Sequence, residues 1–151
     1  MPRLLVIAGS DSSAGAGLQA DLKTAFAFGV YAQTAVTAIT VQNTLGVTGA
    51  HPVPPDMVRA QIAACLSDIG ADAVKTGMLG DAVMVRTVAA ALAEYGGDIP
   101  LVLDPVMVAK GGARLLAEDA VQAVRTLLLP RAAIVTPNLP GCEALSGFAP
   151  S

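Results

Sequence analysis

The chain has 151 residues, of which 54% are hydrophobic and 14% are charged, and its formal net charge at pH 7 is −3. This length suits one domain with a buried core, while the negative balance and the 3% aromatic content argue against binding to nucleic acid. No apolar run reaches the roughly 18 to 20 residues that a membrane span needs, and the two cysteines form no CxxC pair, so we expect a cytoplasmic protein with neither membrane nor nucleic-acid partners.

Strand-like and helix-like patterns alternate from the start of the chain. The apolar run 3–9 ends in glycine and predicts a buried parallel strand. Residues 17–29 carry apolar side chains three or four positions apart and close on a glycine, which predicts a helix. Its expected inward face consists of Leu18, Leu22, Ala25 and Phe26.

The Val-, Ile- and Thr-rich segment 31–43 predicts a second strand. The stretch 47–70 contains prolines that would start a helix, and this helix would end at Gly70. Its expected inward residues are Met57, Ile62, Cys65, Leu66 and Ile69.

The second half of the chain continues the alternation. Residues 71–77, 99–106 and 131–138 read as strands. Residues 81–97, with Asp81 as the cap, and residues 116–130 read as helices, and a further helix starts at PGCEALSG.

This β-α-β-α order predicts an α/β fold, as a single domain over 1–151, with a mainly parallel sheet and helices on both faces. Ligands of such sheets bind at the carboxyl ends of the strands. Polar and glycine residues gather in the loops that follow the predicted strands, which are 9–17, 42–46, 76–80, 104–112 and 136–141.

The loop GSDSSAGAGLQAD, residues 9–21, poses the first question of function. GAGLQA matches a loose dinucleotide pattern that would indicate an oxidoreductase, but SDSSA separates it from the strand, and Gln42 and Asn43 stand where a ribose-binding acid is required. Leu18 and Gln19 replace the Lys and Ser or Thr of a nucleotide triphosphate loop. Two further interpretations are a turn without a ligand, and a site for a small neutral polar molecule at Asp21 and Gln42.

Three other residues are interpreted as structural. His51 has no partner cluster, Cys65 lies on the apolar side of a helix, and Lys75 is interpreted as a polar strand-end residue rather than a catalyst.

Four segments, in order, resemble one known family. They are residues 8–44, VKTGMLGD (74–81), LVLDPVMVAKGG (101–112) and IVTPNLP (134–140). Together they resemble the hydroxymethylpyrimidine/phosphomethylpyrimidine kinases of the ribokinase-like superfamily. The resemblance implies transfer of the γ-phosphoryl group of ATP to a pyrimidine hydroxymethyl group and then to its monophosphate, for thiamine synthesis. Pyridoxal kinases share much of this pattern and are the nearest rival.

The resemblance implies a substrate site of five residues. Three would bind the polar groups of the pyrimidine: Gly9, Asp21 and Gln42. Two would pack on its ring: Met78 and Val106.

The resemblance also implies three residues for phosphoryl transfer. Asp104 would stand near the phosphates and arrange Mg²⁺. Asn138 would orient the nucleotide phosphates or a metal-bound water, and Lys110 would cover the site as part of a flap.

Two departures from the family pattern affect these expectations. Gly141 stands where the family usually has a glutamate, and Glu143, two positions later on a helix, would point about 200° away. The family also has a second half with the anion hole for the transferred phosphate and most of the adenine pocket. We therefore expect a chain that lacks this half, with impaired turnover. The alternatives are a non-catalytic binding fragment or half of a two-chain kinase, and the partner would be a complementary C-terminal half or a second copy at an exposed sheet edge.

Overall fold

The structure is a computed structural model that describes residues 1–107 and 116–148. In these ranges, strands and helices follow the predicted order, except that the predicted strand 31–43 is divided into two strands and one further strand follows it. The strands are β1 (Arg3–Ala8), β2 (Tyr31–Val36), β3 (Ala38–Asn43), β4 (Gly46–Pro52), β5 (Ala73–Thr76), β6 (Leu101–Leu103) and β7 (Ala132–Val135). The helices are α1 (Gly17–Ala27), α2 (Pro55–Asp68), α3 (Ala82–Tyr95), α4 (Glu118–Ala123) and α5 (Leu139–Ser146).

Five strands form a parallel sheet in the order β2-β1-β5-β6-β7. The register places Leu5 of β1 beside Gln33 of β2 and Val74 of β5. Strands β3 and β4 form a separate antiparallel hairpin. The predicted α/β class with a mainly parallel sheet is therefore confirmed.

The core has two unequal parts, one on each face of the sheet. Because successive side chains of a strand point to opposite faces, Leu5 and Ile7 of β1 enter the larger part, which α2, α3 and α4 cover. Val6 and Ala8 enter the smaller part, where they pack with Leu18 of α1. Helices thus lie on both faces of the sheet.

Helix α3 begins as its sequence predicts. The Asp81 side chain accepts a hydrogen bond from the Met84 amide at 2.8 Å, which satisfies one of the unpaired N–H groups of the first turn. The side chains that α3 buries share one face, and they are Ala82, Met84, Val85, Val88, Ala91 and Leu92.

The predicted strand 31–43 is wrong as a single element. The chain breaks at Thr37 into β2, which stays in the main sheet, and β3, which leaves it for the hairpin. The buried Thr37 hydroxyl donates to the Met78 carbonyl at 2.7 Å and holds this corner in place. Strand β4 was not predicted, because its glycines, histidine and proline lack an apolar alternation and its residues are mostly exposed.

Some expected core positions are also wrong. Phe26 of α1 is 87% exposed, and Leu22 is at the surface too, because the small core under α1 covers only a narrow stripe of the helix. Met57 of α2 and Ile69, directly after α2, are exposed, whereas Ile62 is fully buried as expected. No helix in the described part of the chain is long and apolar enough to cross a membrane.

Candidate functional site

A cavity of about 570 Å³ opens at the carboxyl ends of the parallel strands. The loop after β1 forms one wall, the β3–β4 hairpin another, and the ends of β5 and β6 the floor. This is where the order of strands predicts a ligand in an open α/β sheet. The polar residues that line the cavity are Ser10, Asp11, Asp21, Thr40, Gln42, Lys75 and Asp104.

The glycine-rich loop is organised around the buried side chain of Asp11. Its carboxylate accepts hydrogen bonds from the amides of Ser13, Gly15 and Ala16 at 2.8 to 3.1 Å and from the Ser13 hydroxyl at 2.7 Å. The Ser13 hydroxyl is the main cause that lowers the pKa of Asp11. A carboxylate of the chain itself thus occupies the amides that a phosphate would need, which argues against the dinucleotide and triphosphate interpretations.

Two serine hydroxyls attach this loop to the β3–β4 hairpin. Ser10 accepts from the Thr40 amide at 3.0 Å, and the Thr40 hydroxyl donates to the Ser10 carbonyl at 2.8 Å. The Ser12 hydroxyl accepts from the Gln42 amide at 2.8 Å and donates to the Gln42 carbonyl at 2.6 Å. These bonds fix the backbone at Gln42, whose side chain lines the cavity.

The floor of the cavity carries three charged side chains in contact. Lys75, on β5, donates from Nζ to both carboxylate oxygens of Asp21, on α1, at 2.7 and 2.8 Å. Asp104, which follows β6, has its Oδ2 atom 3.8 Å from the same Nζ. Partial burial raises the pKa of Asp104, and the Lys75 ammonium offsets part of this rise.

Close packing shapes the apolar side of the cavity. A Cβ atom on Gly9 would lie 2.5 Å from the Met78 Cε atom, so glycine at this position lets the methionine side chain approach the end of β1. Val106 lies beside Asp104 with φ of 39°, a conformation that is unfavourable for a β-branched residue. The cavity lining therefore contains a residue with a strained backbone conformation.

The structure brings the five expected substrate residues and Asp104 to this one cavity. Asn138 lies outside the lining, at the end of the neighbouring strand β7, where its side chain caps α5 by accepting from the Gly141 amide at 2.8 Å. A Cβ on Gly141 would lie 2.8 Å from the Asn138 Oδ1 atom, so the glycine permits this cap. Lys110 falls outside the described residues.

Sequence reasoning missed the part that Lys75 plays. The interpretation of Lys75 as a strand-end residue is correct about its place, but it overlooked the two carboxylates that Lys75 joins. The signal that was available is one lysine and two aspartates, each in or beside an element that borders the predicted ligand edge of the sheet. Ser10 and Ser12 were missed because their partners lie on the unpredicted hairpin.

Of the carboxylates that line the cavity in the described part of the chain, Asp104 remains available for a metal ion, since Asp11 is bound within its own loop. No group of three or more His, Cys, Asp and Glu side chains that could hold a metal occurs in residues 1–107 and 116–148. Both oxygens of Asp21 are engaged by Lys75, so Asp104 is the remaining candidate. One carboxylate fits Mg²⁺, which proteins often bind through one or two carboxylates together with substrate phosphates and water.

An α/β fold with a cavity at the carboxyl ends of its strands is typical of domains that bind small molecules. Comparison with known proteins gives the family of the chain. A family model described as "Phosphomethylpyrimidine kinase" matches residues 11–151, and the chain belongs to this family. It is 49% identical over 146 residues to a hydroxymethylpyrimidine/phosphomethylpyrimidine kinase of Bacillus subtilis, a match that covers 97% of this chain and 54% of the relative.

Solved structures agree with this assignment. The crystal structure of a phosphomethylpyrimidine kinase from Clostridium difficile superposes with a TM-score of 0.94 at 41% identity, over 99% of this chain and 64% of the other. A pyridoxal kinase of Staphylococcus aureus in complex with AMP-PCP and pyridoxal superposes with a TM-score of 0.85 at 38% identity, over 100% of this chain and 53% of the other. The chain spans about half the length of the curated relatives it matches, as the 54% coverage of the Bacillus subtilis kinase shows.

Proposed function

We propose that this chain provides the substrate-binding half of a kinase that phosphorylates 4-amino-5-hydroxymethyl-2-methylpyrimidine, and then its monophosphate, with ATP in thiamine biosynthesis. The observation that carries the proposal is the cavity at the strand ends, which is lined by residues from distant parts of the sequence. Membership of the phosphomethylpyrimidine kinase family supports it. The proposal treats residues 1–151 as a single domain, which spans about half the length of its curated relatives, and places it in the cytoplasm.

In this proposal the pyrimidine lies between the hairpin and the floor of the cavity. Asp21 accepts a hydrogen bond from an amino or hydroxyl group of the substrate. The side-chain amide of Gln42 offers both a donor and an acceptor to the edge of the pyrimidine ring. Met78 and Val106 pack against the ring, and Gly9 gives the room for this packing. The hydroxymethyl group then points towards Asp104, where the nucleotide phosphates arrive.

The phosphoryl transfer itself depends on positioning and on stabilising the developing charge. Asp104 would hold Mg²⁺, which neutralises negative charge on the ATP phosphates. Asn138 would orient the phosphates from the neighbouring strand end, and Lys110 would cover them. Structures of relatives with AMP-PCP and pyridoxal support the presence of a nucleotide site in proteins of this fold.

Substrate binding by this chain is measurable by calorimetry with the hydroxymethyl pyrimidine. We expect saturable binding, and we expect Asp21→Asn to weaken it by about tenfold or more, because a charge-assisted hydrogen bond is lost. Asp72→Asn is the matched control, since Asp72 pairs with Arg3 at the start of β5 and does not line the cavity. Absence of pyrimidine binding by the parent chain would contradict the proposal.

Turnover is a separate measurement. Mass spectrometry of the chain with pyrimidine, ATP and Mg²⁺ should show little product for the chain alone. Addition of the C-terminal portion of the Bacillus subtilis relative should raise the amount of product. Equal turnover with and without that portion would contradict the need for a complementary half.

A second candidate is a pyridoxal kinase, which the likeness to the Staphylococcus aureus pyridoxal kinase favours. A competition experiment between pyridoxal and the hydroxymethyl pyrimidine for the cavity distinguishes the two candidate functions. A third is a non-catalytic binding fragment, which binds the pyrimidine but gives no product with any added half.

A further inference from the structure

Lys75 has an unusual environment for a lysine at the floor of a binding cavity. Its side chain is 24% exposed and crosses from the central strand β5 to α1, where Nζ contacts both oxygens of Asp21 at 2.7 and 2.8 Å. On its other side, Asp104 Oδ2 lies 3.8 Å from Nζ. The ammonium group therefore sits between two carboxylates that both line the cavity.

The other charged group of the cavity is already satisfied. Asp11 receives three amide hydrogen bonds and one hydroxyl hydrogen bond within its own loop. Among the lining residues within 1–107 and 116–148, Asp21 and Asp104 remain as anions and Lys75 is the cation. Without Lys75, two carboxylates within reach of one point would attract a cation, because opposite charges at such distances interact strongly in a partly buried site.

We propose that Lys75 is a built-in cation that determines the specificity of this cavity: it occupies the place between Asp21 and Asp104 that a ligand ammonium group or a divalent ion would otherwise take. The cavity then selects a substrate with a neutral hydroxyl group over the same molecule with an ammonium group. Lys75 also orients Asp21, since its two bonds fix the plane of the carboxylate and leave the outer lone pairs for the substrate. This inference rests on the proposed function, because it concerns the choice among substrates of the same site.

The test uses two ligands that differ only at this group. These are 4-amino-5-hydroxymethyl-2-methylpyrimidine and its 5-aminomethyl analogue, which is protonated at neutral pH. Calorimetry gives the ratio of their Kd values for the parent chain and for Lys75→Met. A neighbouring charge shifts the affinity of a site for a proton by about one to three powers of ten, so we expect the ratio to move by about tenfold or more towards the ammonium ligand.

Three further variants separate charge from packing. Lys75→Arg keeps the positive charge and should keep the parent ratio. Lys75→Met combined with Asp21→Asn removes the nearer of the two uncompensated carboxylates and should reverse most of the change. Arg86→Met removes a positive charge from an exposed residue of α3, away from the cavity, and should leave the ratio unchanged.

The outcomes distinguish this inference from the proposed function. If the parent chain binds the hydroxymethyl pyrimidine and Lys75→Met changes both affinities equally, the proposed function stands and the role of Lys75 is overturned. If the parent chain binds neither pyrimidine, the proposed function fails. The role of Lys75 is then decided with Mn²⁺ in the absence of nucleotide, measured by electron paramagnetic resonance. Tighter Mn²⁺ binding by Lys75→Met than by the parent chain supports it, and equal binding overturns it.

Discussion

Thr76 and Thr37 are two buried threonines with opposite hydrogen-bonding states. Thr76 is fully buried, and its hydroxyl has no hydrogen-bond partner within the described residues. We expect Thr76→Val to leave the free energy of unfolding unchanged or to raise it by up to about 1 kcal/mol, because it replaces an unsatisfied hydroxyl with a methyl group of similar size. Urea denaturation measures this difference.

Thr37→Val is the matched control for that substitution. The Thr37 hydroxyl donates to the Met78 carbonyl, so its removal leaves a carbonyl without its donor and should lower the free energy of unfolding by about 1 to 2 kcal/mol. A Thr76→Val protein that is less stable than Thr37→Val would show that Thr76 has a partner we have not identified.

For individual residues, the sequence predicts which side chains belong to the site better than it predicts which side chains contact each other. Asp21 and Gln42 could be chosen because each stands in an element that borders a predicted ligand edge and carries a suitable polar group. The ion pair between Asp21 and Lys75 could not be predicted, because 54 residues separate the two along the chain. The two side chains meet because α1 packs over β1 and β2, and β5 is the next strand beside β1 in the sheet. The local periodicity of the sequence does not indicate this packing.

The turn between β1 and α1 depends on one glycine. Gly17 has φ of 59°, and a Cβ atom there would lie 2.6 Å from the Gly9 carbonyl oxygen and 3.0 Å from the Asp11 nitrogen. We expect Gly17→Ala to lower the free energy of unfolding by more than about 2 kcal/mol, since backbone strain and a backbone clash add together. Pyrimidine binding should weaken too, because α1 carries Asp21.

Gly29, at the other end of α1, provides the comparison for that substitution. It has φ of 68°, but a Cβ atom at this position would meet nothing within 4 Å, so Gly29→Ala should cost only the strain, about 1 to 2 kcal/mol. Thermal and urea denaturation of both variants measure the difference. Equal losses would mean that the turn relaxes around the added methyl group.

Elements with a clear apolar period were predicted, and the hairpin was not. α3 and the strands β1, β5 and β6 bury a face or a whole run, so their hydrophobic pattern indicates both type and position. Strands β3 and β4 are held instead by cross-strand backbone bonds and by serine hydroxyls of the neighbouring loop. Such contacts depend on the tertiary arrangement, which explains why the segment 31–43 was interpreted as one strand.

For the whole molecule, the two edges of the main sheet differ. At β2, the Gln61 side chain of α2 accepts from the Val36 amide at 2.9 Å and donates to the Val36 carbonyl at 3.2 Å, which covers part of that edge. At the opposite edge, β7 pairs with β6, and no described strand lies beyond it. Open edges of this kind are sites of pairing with another chain.

The open edge leads to a prediction about self-association. Ile134 of β7 is 56% exposed, and Leu139 and Phe148 nearby in the sequence are exposed as well. We expect the chain to form concentration-dependent dimers or larger species in light scattering. We expect Ile134→Asp to shift them towards the monomer, because a charge at the edge opposes pairing.

Met57→Asp is the matched control for this substitution. Met57 is also 56% exposed, but it lies on α2, which packs against β2 at the opposite edge of the sheet. A chain that stays monomeric at all concentrations, or an equal effect of both substitutions, would contradict association through β7. If association does occur there, the C-terminal portion of a relative should compete with it, because both would use the same edge.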